Sequence, residues 1–287
     1  MLALGVTGDV GAGKSTVSRI WREMGASVLD ADEIVKSVWK RSEILEAASS
    51  RWGKDILGKE GLIVSWKVAA KAFSDPGEYR WMCGLIHPPV RVEMERAAAS
   101  LEGWVVAEIP LLFEGGVPWW IDATVYVTAD PAARASRNAA RGLDSEELAR
   151  RESFLLPCEE KKIRASIVLD NSRSREHLLG KARETGCLFR RLSGLVQFSV
   201  LFGSRDDAFG CMGLISAERL GAEFECRKVL AGTDIEDAWR LSFFTLEHLF
   251  PRLVSHPSMT AGRGQQAVTV RRIPYSRRLA ISGELLP

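Results

Sequence analysis

Gly8-Asp9-Val10-Gly11-Ala12-Gly13-Lys14-Ser15, followed by Thr16, matches the pattern GxxxxGK[ST]. Leu2 to Thr7 before it is a short apolar run with the marks of a buried strand, and Lys14 to Met24 after it reads as a helix. Strand, glycine-rich turn and helix in that order are the context the pattern requires. The glycines let successive backbone N–H groups curl round an anion with no side chain in the way. The helix behind them aims its positive end at the same point. A glycine-rich turn with no ligand is the plainer reading, and the agreement of pattern and context argues against it.

The same alternation continues outward. Ser27 to Leu29 reads as a brief strand ending at acidic residues, and residues 31 to 99 are mostly helical, broken near Gly53 to Gly61 and at Pro76-Gly77. Trp104 to Ile109 (WVVAEI), Ala123 to Thr128 (ATVYVT) and Ser166 to Leu169 (SIVL) are short, β-branched and bounded by turn formers, as strands are. Helical stretches follow at Pro131 to Arg141, Ser145 to Phe154 and Arg175 to Thr185. Strands alternating with helices predict a parallel sheet covered on both faces, an α/β fold in three layers (α/β/α). Such a site takes a nucleoside triphosphate. Lys14 reaches the β- and γ-phosphates, and the Ser15 hydroxyl ligates Mg²⁺.

Bulk properties narrow the class. The 287 residues are 46% hydrophobic and 26% charged, with a formal net charge of only +2. This is a globular composition with no general attraction to nucleic acid or to a membrane surface. No apolar run approaches the ~18 residues of a membrane span, and the N-terminus lacks the basic start and long apolar core of a signal peptide. Cys83, Cys158, Cys187, Cys211 and Cys226 form no CxxC pair and no zinc spacing. Reduced thiols in a cytoplasmic protein are the expectation.

Asp30-Ala31-Asp32 ends the second strand, on the sheet edge that holds ligands in such folds. Two carboxylates there can position an attacking hydroxyl, take its proton, or hold Mg²⁺ through water. Asp30 reads equally well as the N-cap of the helix that follows. Further on stand His87-Pro88 in a helical stretch and Pro110-Leu111-Leu112-Phe113-Glu114 after the third strand. A phosphate loop of this form, then DAD, HP and PLLFE in this order, resembles the dephospho-coenzyme A kinase family. The run Ala165 to Asn171 (ASIVLDN) is similar to that family's last strand. The resemblance covers residues 1–189.

It implies a P-loop kinase core with a helical insertion and a lid. It also implies transfer of the ATP γ-phosphoryl group, with Mg²⁺, to the ribose 3′-hydroxyl of dephospho-coenzyme A. Gly8 to Thr16 would then hold ATP, and Lys14 and Asp32 would be catalytic. Asp30, Asp32, His87, Pro110, Leu111 and Leu112 would bound the acceptor. Arg134, Arg137 and Arg141 share one helix face where the family places its lid. Arg137 would touch nucleotide, and Arg141 best resembles the lid arginine that closes over the transferring group. Each can instead belong to a solvated basic face. Glu108 is the nearest candidate for a second Mg²⁺-associated acid. Trp119-Trp120 can shape the acceptor site. Leu156, where the family usually has glutamine, and Ser65, near where it usually has arginine, depart from the pattern.

Residues 190–287 lie beyond the resemblance and carry no metal cluster, nucleophile triad or second phosphate loop. Val196 to Phe202 and Glu223 to Val229 read as strands, Asp234 to Leu253 as a helix capped by Asp234, and Ala267 to Ile273 and Arg278 to Ser282 as half-exposed strands. Ser258 to Gln266 reads as a loop. A small α+β domain is expected, with self-association, regulation or a separate activity left open. Rival functions are a kinase for another small molecule, such as a nucleoside or nucleotide, and a nucleotide-switched regulator acting through this tail.

Overall fold

The computed structural model describes residues 1–140, 142, 145–231, 236–256, 259, 267–269 and 275–284. By contacts the chain divides into two units between Gly186 and Cys187.

In the first unit the order is β1 (Leu2–Gly8), α1 (Lys14–Glu23), β2 (Ser27–Asp30), α2 (Ala31–Val38), α3 (Ser42–Trp52), α4 (Ser65–Ala72), α5 (Pro76–Ala99), β3 (Trp104–Glu108), β4 (Ala123–Thr128), α6 (Pro131–Ala139), α7 (Ser145–Glu152), α8 (Cys158–Arg164), β5 (Ile167–Asp170) and the start of α9 (Arg175–Ser193). The strands form a five-stranded sheet in the order β2-β3-β1-β4-β5, with parallel pairing. β1 is buried at every position, as expected of a central strand covered on both faces. Alternate residues of β3 serve the two faces. Trp104 stacks near Trp21 of α1, at 5.9 Å between ring centroids. Val105 and Ala107 join the core made with α2, α3 and α5. The Trp21 indole N–H donates to the Ala182 carbonyl of α9 at 2.7 Å, so the largest buried side chain is also satisfied as a donor.

The order of the strands positions the site. From β1 the chain passes to β2 on one side, and from β3 it passes to β4 on the other. The loops after β1 and β3 therefore part at neighbouring strand ends and leave a crevice between them, the usual ligand position in an open parallel sheet.

The second unit contains β6 (Leu195–Phe202), α10 (Arg205–Ala217), β7 (Ala222–Ala231), β8 (Glu236–Leu246), the short helix α11 (Phe250–Val254), β9 (Ala267–Thr269) and α12 (Tyr275–Glu284). Its four strands pair antiparallel in the order β7-β8-β6-β9. This is the split β-α-β, or ferredoxin-like, arrangement with a further helix after the last strand. Phe198, Val200 and Phe202 of β6 alternate inward and meet Leu241 and Phe243 of β8 and Ala208, Cys211 and Ile215 of α10. Among the described residues no helix is long and apolar enough to cross a membrane.

Two expectations for the tail need correction. The helix expected over Asp234 to Leu253 is mostly β8. Leu241 to Phe243, Thr245 and Leu246 are buried with no helical period, and the segment pairs with a strand on each side, so the partner strands β6 and β7 decide the conformation. The expected cap at Asp234 and most of the Ser258 to Gln266 loop lie outside the described residues. The strand expected over Arg278 to Ser282 is part of α12. There Arg278, Ile281 and Ser282 are buried at i, i+3 and i+4, and the Arg278 guanidinium donates to the Leu192 carbonyl at 2.7 Å. Of the strand expected over Ala267 to Ile273, the described part is β9. Helix α10 was not expected from the sequence: its buried stripe is only Ala208, Cys211 and Ile215, and glycines 210 and 213, poor helix formers, lie on its exposed face; its start is capped by Ser204, which accepts from the Asp207 N–H at 3.1 Å.

Phe243 is fully buried at the centre of this second core. Phe243→Ala is expected to destabilise the unit by about 3 to 5 kcal/mol, read as a shifted denaturant midpoint. An unshifted midpoint would mean that the sheet does not rest on this cluster.

Candidate active site

The cradle after β1 is built from the carbonyl side. Lys14 Nζ donates to the carbonyls of Gly8 at 3.0 Å and Asp9 at 3.1 Å. Asn138 Nδ2 of α6 donates to Val10 O at 3.2 Å, Arg137 Nη1 to Gly11 O at 3.3 Å, and Asn171 Nδ2, just past β5, to Ala12 O at 2.7 Å. Five successive carbonyls are thus engaged by side chains. The N–H groups of Gly11, Gly13, Lys14 and Ser15 meet no protein acceptor among the described residues, and no side chain caps the start of α1. That is the arrangement of an anion site.

The glycines are required by contact. Gly11 has φ +80°, and a Cβ there would lie 2.7 Å from Asn138 Oδ1; Gly13 has φ +105°, and its Cβ would lie 2.8 Å from Asn171 Nδ2. The loop and its supports leave no room for a side chain.

Asp9 anchors the cradle from below. Its carboxylate is buried and accepts from the Tyr126 hydroxyl, from Thr128 Oγ1 at 2.9 Å and from Cys158 Sγ at 3.3 Å, with Arg134 Nε at 4.0 Å. Burial and the bond to Asp9 push the Tyr126 phenol well above its ordinary value. The side chain of Asp9 therefore faces the core, while its backbone forms part of the loop. Arg134 is buried too, paired with Glu152 and bonded to the Ala129 carbonyl at 3.2 Å, so this arginine of the expected lid face is structural. Arg137 lies against the loop, with Nη2 on the Asn171 carbonyl at 3.2 Å. Arg141 lies outside the described residues.

Acidic groups converge on Lys14. Asp30 and Glu108 stand opposite one another at the ends of β2 and β3. Asp30 is the N-cap of α2, accepting from the Asp32 N–H at 2.9 Å, which realises the capping reading of that residue. Asp32, one step on, is exposed as a residue but sits at the mouth of a pocket with protein around it. Desolvation raises its carboxyl above the ordinary value, Asp30 adds to this, and Lys14 opposes it. Burial raises the Glu108 carboxyl likewise. The Lys14 ammonium is lowered by burial, against the pull of Glu108, Asp9 and Asp32. Among the described residues no group of three or more His, Cys, Asp or Glu is placed to hold a metal. Ser15, at the start of α1, is exposed.

Beside this cluster lies a largely apolar pocket of about 430 Å³. Asp32 and Val35 of α2 with Trp39 just past its end form one wall, Met82, Ile86, His87 and Val90 of α5 another, and Pro110, Leu111 and Leu112 after β3 a third. Leu112 is buried against Gly5 and Ile121 as well, so it is both wall and core. Pro110 is fixed by its carbonyl, which accepts from Thr7 Oγ1 at 2.9 Å. Burial lowers the His87 imidazole below its usual value, helped by Arg91 and opposed by Glu114. Trp119 stands at the rim, 70% exposed, its indole N–H on Glu95 Oε1 at 2.9 Å. Ser65, by contrast, is an exposed residue at the start of α4 and is not part of the pocket lining.

The structure thus brings Gly8 to Thr16, Asp32 and the pocket wall around one crevice. Asn138 and Asn171 were missed as cradle supports, since each works through a carbonyl more than 120 residues away in sequence. Asn171→Ala is expected to weaken ATP binding about tenfold, the equivalent of ~1.4 kcal/mol, by releasing the Ala12 carbonyl while the fold stays intact. Unchanged affinity by calorimetry would show that the tether does not shape the cradle.

Comparison with known proteins agrees with this geometry. A family model for dephospho-CoA kinase matches residues 2–176. Dephospho-CoA kinase of Deinococcus radiodurans is 43% identical over 183 residues, 62% of this chain and 87% of that protein. That of Corynebacterium diphtheriae is 37% identical over 190 residues, 64% and 95% of the two chains. Among solved structures, TT1252 from Thermus thermophilus superimposes with a TM-score of 0.57 at 33% identity, over 65% of this chain and 96% of that one. A phosphate cradle, a carboxylate beside it and a matching family model lead to one assignment: the chain belongs to the dephospho-CoA kinase family.

Proposed function

We propose that the protein transfers the γ-phosphoryl group of ATP to the ribose 3′-hydroxyl of dephospho-CoA, giving CoA. The observation that carries this reading is Asp32, which borders both the Lys14 cluster and the apolar pocket, in a chain of this family. The family match favours this acceptor over another small molecule and over a nucleotide switch.

When bound, Mg²⁺ would offset charge on the phosphates and draw the Ser15 hydroxyl as a ligand. The remaining work falls to the chain. The N–H groups of Gly11, Gly13, Lys14 and Ser15 hold the phosphate oxygens. Lys14, which rests on the Gly8 and Asp9 carbonyls, offsets the charge of the β- and γ-phosphates. Asp32 accepts the hydroxyl proton or fixes the hydroxyl in line. The pocket between α2, α5 and the Pro110–Leu112 loop seats the rest of the acceptor, and Arg137 with Arg141 supplies positive charge on the lid side. Residues 1–189 would form this kinase domain and 190–287 an α+β domain of separate role, self-association among the candidates. The formal charge of +2 supports reading it as a cytoplasmic enzyme with a small-molecule partner and no nucleic acid.

ATP consumption with and without dephospho-CoA tests the proposal, with product mass as the readout. Gain of one phosphate on the acceptor is expected, and acceptor-independent turnover alone would refute it. Lys14→Ala should abolish turnover in a folded protein. Asp32→Asn should lower kcat by at least about a hundredfold, the scale of general-base catalysis, while ATP affinity changes little. A loss confined to ATP affinity would remove the base role. Asp32 works only when deprotonated and its pKa is raised, so kcat/KM should fall on acidification through a value above about 4, the ordinary carboxylate range. A profile flat down to that pH would assign the proton elsewhere.

A further inference from the structure

The connector between α7 and α8, residues 153–157, touches both halves of the site. On the acceptor side Phe154 packs on Phe73 at 5.5 Å and Tyr79 at 5.1 Å, both from the helical insertion. The Leu156 N–H donates to Glu114 Oε1 at 3.1 Å, at the end of the loop that walls the pocket. On the nucleotide side Cys158 donates to Asp9, which underlies the cradle, and Glu152 pairs with Arg134 beside it.

Glu114 is where these lines cross. Its Oε1 also meets Lys161 Nζ of α8 at 2.7 Å, and Lys161 is 3% exposed. A charge pair so deeply buried is a weak source of stability, because desolvation cancels most of the attraction, so stability alone does not explain the pair. Lys161 is close enough to Lys14 to oppose its charge, and Glu114 is close enough to His87 in the pocket wall to favour its protonation. Glu114 Oε2 is buried and has no hydrogen-bond partner among the described residues. A buried carboxylate oxygen without a donor costs free energy, and a small shift of the loop or the connector can supply one.

We propose that Glu114 is a positioning residue that links the acceptor loop to the connector, so that occupancy of the pocket and occupancy of the phosphate cradle reinforce one another. This rests on the kinase reading above. Acceptor binding moves the Pro110–Glu114 loop, Glu114 carries the Leu156 N–H and Lys161 with it, and the connector transmits the shift to Asp9 and Arg134. Coupling of this kind is reciprocal: each ligand tightens the other by the same factor.

Two measurements on the full chain test it. Calorimetry gives the affinity for dephospho-CoA with and without a non-hydrolysable ATP analogue, for wild type and Glu114→Gln. Wild type is expected to show at least about fivefold tightening, the lower end of ordinary allosteric coupling. Glu114→Gln should bind the analogue alone within about twofold of wild type and lose the tightening. Trypsin cleavage after Arg150 and Arg151, next to the connector, should rise severalfold in Glu114→Gln without any ligand. Wild-type coupling or an unchanged cleavage rate in the folded variant would overturn the proposal. Should Glu114→Gln fail to fold, the double change Glu114→Met with Lys161→Met removes both buried charges. It is expected to restore the melting temperature but not the coupling; restored coupling would reduce the pair to packing. If wild type binds the analogue but not dephospho-CoA, the proposed acceptor falls, and the cleavage rate still decides whether Glu114 secures the connector.

Discussion

The site depends on one constraint: five consecutive carbonyls, from Gly8 to Ala12, are held from behind by side chains. A peptide unit whose carbonyl is engaged on one side presents its N–H on the other, so the tethers on Val10 and Ala12 orient the N–H groups of Gly11 and Gly13. The tethers come from α1 itself, from α6 and from the end of β5. The cradle is therefore a product of the whole first unit. It also explains why glycines 11 and 13 are needed where they are, since the amide groups of Asn138 and Asn171 occupy the space a side chain would take.

The second organising element is the charge cluster around Lys14. The lysine is desolvated and drawn onto carbonyls, while Asp32 and Glu108 carry raised pKa values beside it. The ammonium eases both carboxylates and they ease it, while Asp32 and Glu108 repel one another. An anionic ligand that claims the lysine also alters the balance at the two carboxylates, so binding and acid–base character change together.

How much of this could be read from the sequence differed between the two units for a physical reason. The phosphate loop is local: glycines, lysine and serine act within eight residues, and flanking periodicity supplies the context. Asp30 as a cap was equally local. Asn138, Asn171 and the Glu114–Lys161 pair act across tens to more than a hundred residues, and nothing near each one in sequence marks it. In the second unit, the segment Ala238 to Leu246 contains charged and apolar residues compatible with either period. Only the antiparallel partners at Leu195–Phe202 and Ala222–Ala231 make it a strand. The reverse holds for Arg278, a charged residue whose burial against Leu192 could not be foreseen from its neighbours. Lid position Arg134 was read by face and spacing, which place it correctly on the helix but cannot tell a ligand-facing guanidinium from one turned into the core.

The order β3-β1 at the middle of the sheet has one more consequence. The loop that cradles the donor phosphates and the loop that walls the acceptor rise from adjacent strands, which lie ~4.8 Å apart. The spacing between the bases of the two loops is thus ruled by backbone hydrogen bonding. Side chains of the pocket wall can change without altering that gauge, so the sheet holds the two loops at one separation whatever the wall is made of.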